Sequence, residues 1–119
     1  MKHLLSIAIL LFCTISVPAA AEPIRATQET PAEAQHLIHN AGHAMDMAWD
    51  AFHKAALGGT LASPEIQTAA EADLMQGRAL LRKARQAHHE GDIEEVRRVT
   101  EQILQLSKEI VIKSEMEKE

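Results

Sequence analysis

The sequence predicts an all-α protein, an antiparallel up-down-up three-helix bundle behind a cleaved signal peptide. Three observations predict it. Apolar residues recur at helical spacing in three successive segments. Each segment opens on a capping signal, and glycine stands where the first two end. Beyond the leader almost no alternating, strand-like pattern occurs.

The leader comes first. Met1-Lys2-His3 is a short basic start, and "LLSIAILLFCTISV" (Leu4 to Val17) is an uncharged apolar run. "PAAAE" follows, with Ala19 and Ala21 at the small-residue positions a signal peptidase reads. Cleavage after Ala21 is expected, because about 14 apolar residues fall short of the roughly 20 that span a bilayer. Cys13 is the only cysteine, so the mature chain is expected to have neither disulfide nor thiolate site. Export without disulfides points to a bacterial periplasm. The chain carries 12 Lys+Arg against 17 Asp+Glu, a net charge of −5. Losing Lys2 with the leader makes it more negative, which favours cations and argues against nucleic acid as a partner.

Residues 22–29 are polar and unpatterned, a loose tail. The bundle is expected over 30–119, with helices near 31–57, 64–90 and 93–116. "TPAE" supplies Thr30 as N-cap, Pro31 at the first helical position and Glu33 to complete a capping box. Gly58-Gly59 ends this helix. "SPE" (Ser63 to Glu65) repeats the start, and the second helix ends near Glu90-Gly91. Asp92 with Glu95 opens the third. Similar lengths and short loops favour antiparallel neighbours.

Each helix has an apolar stripe. The first is Leu37, Ile38, Ala41, Met45, Ala48, Trp49, Phe52 and Ala56. The second is Ile66, Ala70, Leu74, Gly77, Leu80, Leu81 and Ala84, and the third is Ile93, Val96, Val99, Ile103, Leu106, Ile110 and Val111. These are the expected core positions.

Chemistry concentrates on the other side of the first helix. At about 100° per residue, His36, His39, His43, Asp46, Met47, Asp50 and His53 fall within roughly one third of the circumference. An ordinary wet face is also polar opposite a core. Such a face is normally Glu, Lys, Gln and Arg, yet Lys54 is the only lysine and no glutamate occurs between Gln35 and Leu57. Residues three and four apart have Cβ atoms roughly 5–6 Å apart, so His39 and His43 can converge on one ion at about 2.0 Å. His36 lies one turn before, Asp46 and Met47 one turn after. Imidazole and carboxylate suit Cu(II), Ni(II) or Zn(II), with copper favoured over nickel and zinc. Met47 also tolerates Cu(I). His88-His89 is a weaker second cluster, with His89 outward and His88 toward the core. Asp73 falls on that inner face, as a partner for His88 or an imperfect core position.

Arg78, Arg82, Lys83, Arg85, Arg97 and Arg98 form a basic zone, interleaved with Glu71, Glu90, Glu94, Glu95 and Glu101. Salt-bridged surface is the expected result. No Gly-rich phosphate loop, nucleophile elbow or HExxH motif is present, so no enzymatic role is expected.

"QAHHEGDIEEVRRVTEQILQLSKE" (Gln86 to Glu109) resembles the repeat of the small metal-binding protein family, periplasmic histidine-rich helical bundles. The resemblance implies binding of copper and other divalent metals. That family spreads histidine along every helix, whereas the third helix here has none, which puts the site on His36, His39, His43 and His53. "SPEIQTAAEADLMQGRALLRKARQAHHEGDIEEV" (Ser63 to Val96) is similar to the second half of cytochrome b562, a haem-carrying four-helix bundle. The family's haem methionine would fall on Met45 or Met47, but no histidine follows His89. Haem is therefore not expected.

The reading is a periplasmic metal-binding or sequestration protein. Its alternative is a helical adaptor or chaperone-like interaction protein without metal. Stable membrane insertion is not expected, and self-association is open to either reading.

Overall fold

The computed structural model describes residues 30–117. The leader, its cleavage after Ala21 and the whole 22–29 tail therefore lie outside the described residues. Three helices pack together: α1 (Pro31–Leu57), α2 (Pro64–His89) and α3 (Ile93–Glu115).

Local chemistry sets the ends. At the start of α1 the Glu33 amide donates to Thr30 Oγ1 at 3.3 Å, and the Glu33 carboxylate accepts from the Thr30 amide. This reciprocal box satisfies two amides that have no partner inside the helix. Ser63 Oγ accepts from the Ile66 amide at 3.2 Å, and Asp92 Oδ1 from the Glu95 amide at 3.1 Å. Two helices stop in the same way. Gly59 and Gly91 adopt φ of 66° and 76°, a region that suits glycine best. The next amides then reach back, Thr60 to the Ala55 carbonyl and Asp92 to the Ala87 carbonyl, both at 2.9 Å.

Packing follows a seven-residue repeat. On α1, Ala34, Ala41, Ala48 and Ala55 are buried, with Met45 and Phe52 between them. On α2 the small set is Ala70, Gly77 and Ala84, alternating with Leu74 and Leu81. The larger side chains come from α3, where Val96, Ile103 and Ile110 alternate with Val99 and Leu106. Small residues on two helices let the branched chains of the third fill the space between. A seam repeating every seven residues is that of left-handed bundle packing. α3 packs against both partners more extensively than α1 and α2 pack on each other.

Gly77 lies where α2 passes close to the end of the Met45 side chain, which would have to turn aside for any larger residue. A Cβ there would run into the end of Met45, 2.6 Å from its Sδ, and would lie 3.6 Å from Leu106 Cδ2. Ala34, Ala87 and Val96 meet in a second cluster. Asp73 pairs with Lys113, and Lys83 with Glu95 at 3.3 Å. In these contacts residue numbers fall along α2 as they rise along α1 and α3.

Two expectations about side chains need correction. Trp49 is not a core residue: it is 39% exposed, with the Arg78 guanidinium 5.1 Å over its ring and the His53 ring stacked at 5.5 Å. These partners cover part of the indole on the bundle surface. Asp73 has Lys113 as its partner rather than His88. Lys113 continues the Val99–Leu106 spacing of α3, so a charge at that position is matched across the helix pair.

The basic zone is salt-bridged on α3. Arg98 grips Glu95 with two hydrogen bonds of 2.8 and 2.6 Å, and Arg97 binds Glu94 at 2.9 Å. The Arg98 bonds, then Lys83, hold the Glu95 carboxyl down to about 2, from 4.5. A lowered folded-state value gives stability that is fully present above the ordinary carboxylate range and is lost as pH falls toward the folded value. Urea midpoints of wild type and Glu95→Gln are therefore expected to differ at neutral pH and converge from about pH 4.5 down to about pH 2. A gap unchanged across that window would assign the effect to packing rather than charge.

Candidate functional site

The long uninterrupted α1 displays its histidines because the alanine seam turns the opposite face outward. His36, His39, His43, Asp46, Met47, Asp50 and His53 are all exposed, Met47 at 58%. The structure gives them different surroundings.

His39, His43 and Asp46 border one depression of about 390 Å³, together with Gln35, Ile38, Gly42 and Arg85. Arg85 comes from α2, so this depression lies along the α1–α2 seam. His39 also borders a neighbouring depression of about 370 Å³ with His36, Gln35 and Ala32. His39 is therefore common to both. Met47 and Asp50 lie on the turns beyond, and His53 is occupied by its stack on Trp49.

His88 and His89 are separated by the helix itself. His89 is exposed, while His88 is half-buried and its Nδ1 is enclosed without a hydrogen-bond partner among the described residues. His88 continues the Leu74–Leu81 spacing of α2, which explains why it is drawn toward the seam. Met45, one position considered for a haem methionine, is 5% exposed and packs against Gly77.

Among the described residues, no three His, Cys, Asp or Glu side chains stand grouped so as to hold a metal ion. The donors are spaced for convergence but not gathered. His39, His43 and Asp46 occupy successive turns, so their Cβ atoms are fixed at roughly 5–6 Å spacing by the helix. Their outer atoms are free to turn, since all three side chains face solvent. What the backbone supplies is a pair of nitrogen donors with a carboxylate one turn on.

Sequence reasoning placed Arg85 in a salt-bridged zone and missed it here. It has no ion pair or hydrogen bond among the described residues, and it faces the depression instead. Gly42 was also missed. A Cβ at Gly42 would meet nothing within 4 Å, so packing does not demand glycine there, although mid-helix glycine costs roughly 0.5–1 kcal/mol relative to alanine. Its bareness keeps one wall of the depression low.

No helix of the described residues is long and apolar enough to cross a membrane. Comparison with protein-family models, curated proteins and solved structures returns no match.

Proposed function

We propose that this chain is an exported, periplasmic divalent-metal-binding protein that buffers or sequesters its ion, with copper favoured over nickel and zinc. The observation that carries the reading is the trio His39, His43 and Asp46 on successive turns around one open depression. Two imidazoles and a carboxylate form a donor set for Cu(II), and copper heads the affinity order at equal availability. His36 and His53 extend the donor line at its ends, and Met47 gives a thioether for Cu(I). Solvent exposure fits exchange and buffering rather than chemistry in an enclosed pocket. The small metal-binding family resemblance and the acidic net charge lean the same way.

The second reading is an interaction protein without metal, and a different observation favours it. Leu57, Met75 and Ile112, one on each helix, are 77%, 72% and 63% exposed, and each gives a partner an apolar side chain to cover. Titrating the mature protein with Cu(II), Ni(II) and Zn(II) by calorimetry, with thermal melts in parallel, separates the two. A saturable isotherm tightest for copper, with a rising melting temperature, is expected because an ion bound only by the folded state stabilises it. Heat and melting curves that ignore all three metals would leave the interaction reading standing.

A further inference from the structure

We infer that the layer formed by α1 and α2, on the side away from α3, is the interface of a symmetric dimer with a second copy of this chain. The inference is independent of the metal-binding reading.

The first element is a separation of charge. On α3, opposite charges pair within the chain, Arg97 with Glu94 and Arg98 with Glu95. On the α1–α2 layer they do not. Asp46 and Asp50 are exposed on α1, and Arg78, Arg82 and Arg85 are exposed on α2. None of these makes an ion pair among the described residues. One helix thus offers carboxylates and its neighbour guanidiniums, a face that complements a copy of itself.

The second element is level along the bundle. Arg78 holds its guanidinium over Trp49, in the stretch of α1 that carries Asp46 and Asp50. Arg85 borders His39, Gly42 and His43, about two turns earlier on α1. Arg82 falls between Arg78 and Arg85 on α2, so the two aspartates stand level with Arg78 and Arg82. A twofold axis running along the bundle lays α1 of one copy on α2 of the other and keeps every residue at its own level. Asp46 and Asp50 then face the partner's Arg78 and Arg82, and the same contacts recur on the other side of the axis. A twofold axis across the bundle would instead lay α2 on α2 and bring arginine to arginine.

The third element is surface. Met47 and Met75 stand 58% and 72% exposed beside these charges, with Trp49 between the aspartates. Adaptable thioethers and an aromatic ring are the apolar contacts that interfaces favour. Helices of 27 and 26 residues run about 40 Å and are about 10 Å across, so two side by side offer roughly 800 Å². That matches the roughly 800 Å² each partner contributes to an ordinary specific complex.

Sedimentation velocity of the mature chain at neutral pH, with EDTA to exclude bridging metal, tests the interface. Wild type is expected to pass from monomer to dimer as its concentration rises, and to dissociate as salt is added. Each ion pair occurs twice and is worth about threefold, so Arg82→Gln should weaken association about tenfold. Lys108→Gln, an equal loss of charge on α3, should behave as wild type. Asp46→Lys/Asp50→Lys and Arg78→Glu/Arg82→Glu should each be monomeric, because like charges then meet across the axis. An equimolar mixture of these two variants should dimerise again, since every contact in the mixed dimer joins opposite charges. Circular dichroism of each protein checks that the bundle is intact. Wild type that stays monomeric at every concentration in low salt overturns the proposal. A dimer unmoved by Arg82→Gln overturns it as well, and so does a mixture of the two charge-reversed variants that remains monomeric.

Discussion

Ile103→Ala is expected to lower the unfolding free energy by about 2–5 kcal/mol, the range for truncating a fully buried branched chain. Ile103 is completely buried midway along α3, the helix that packs on both others. The core cluster it belongs to includes Ala41, Ala48, Ala55, Ala70 and Ala84 of α1 and α2, whose short side chains have no reach with which to refill a cavity. The surroundings relax little, so the cavity contribution persists. Total stability for a domain of this size is about 0.05–0.15 kcal/mol per residue, and Cys13 is the only cysteine in the chain, so no disulfide compensates. Ile112→Ala on the same helix, where the side chain is exposed, should stay within about 0.5 kcal/mol. Urea unfolding followed by circular dichroism measures both. Near-equal losses at the two positions would mean that α3 faces otherwise than described.

The fold was legible where its causes are local. Thr30, Ser63 and Asp92 cap helices because their side-chain oxygens reach amides only a few residues away, a relation written in the sequence. Gly59 and Gly91 end helices for an equally local reason. Trp49 misled because helical phase alone places it near the stripe, while its Arg78 partner lies on another helix. Asp73 and Lys113 stand 40 residues apart, and nothing in either segment announces the pair. Arg85 belongs to the same class. Periodicity shows which face it occupies, but whether that face meets the histidines depends on how two helices are rotated against each other.

The histidine stripe divides differently. Its spacing is a property of the helix and could be read directly. Its convergence would depend on freely turning surface side chains, and among the described residues no three of these donors stand grouped. Ordering those side chains opposes binding. Under the proposed function a bound metal would have to supply that free energy, which suits an exchangeable buffer better than a rigid structural centre.

That division leads to the strongest functional prediction. His39→Ala/His43→Ala is expected to weaken Cu(II) binding by more than about 100-fold, since loss of a mere supporting partner around a metal costs about 10–100-fold and these two are proposed as direct ligands. His88→Ala/His89→Ala should change affinity far less, because consecutive helical residues diverge by about 100° and cannot close on one ion. The half-buried setting of His88 and the exposed one of His89 separate that pair further. Protons compete with a metal for ring nitrogens, so wild-type affinity should also fall as the solution is acidified. That pH dependence should largely disappear from the His39/His43 variant and persist in the His88/His89 variant. Circular dichroism of each protein controls for folding, and both exposed substitutions on α1 replace histidine with a better helix former. Equal affinity and equal pH dependence in all three proteins would remove the site from α1 and return its polar stripe to an ordinary solvated face.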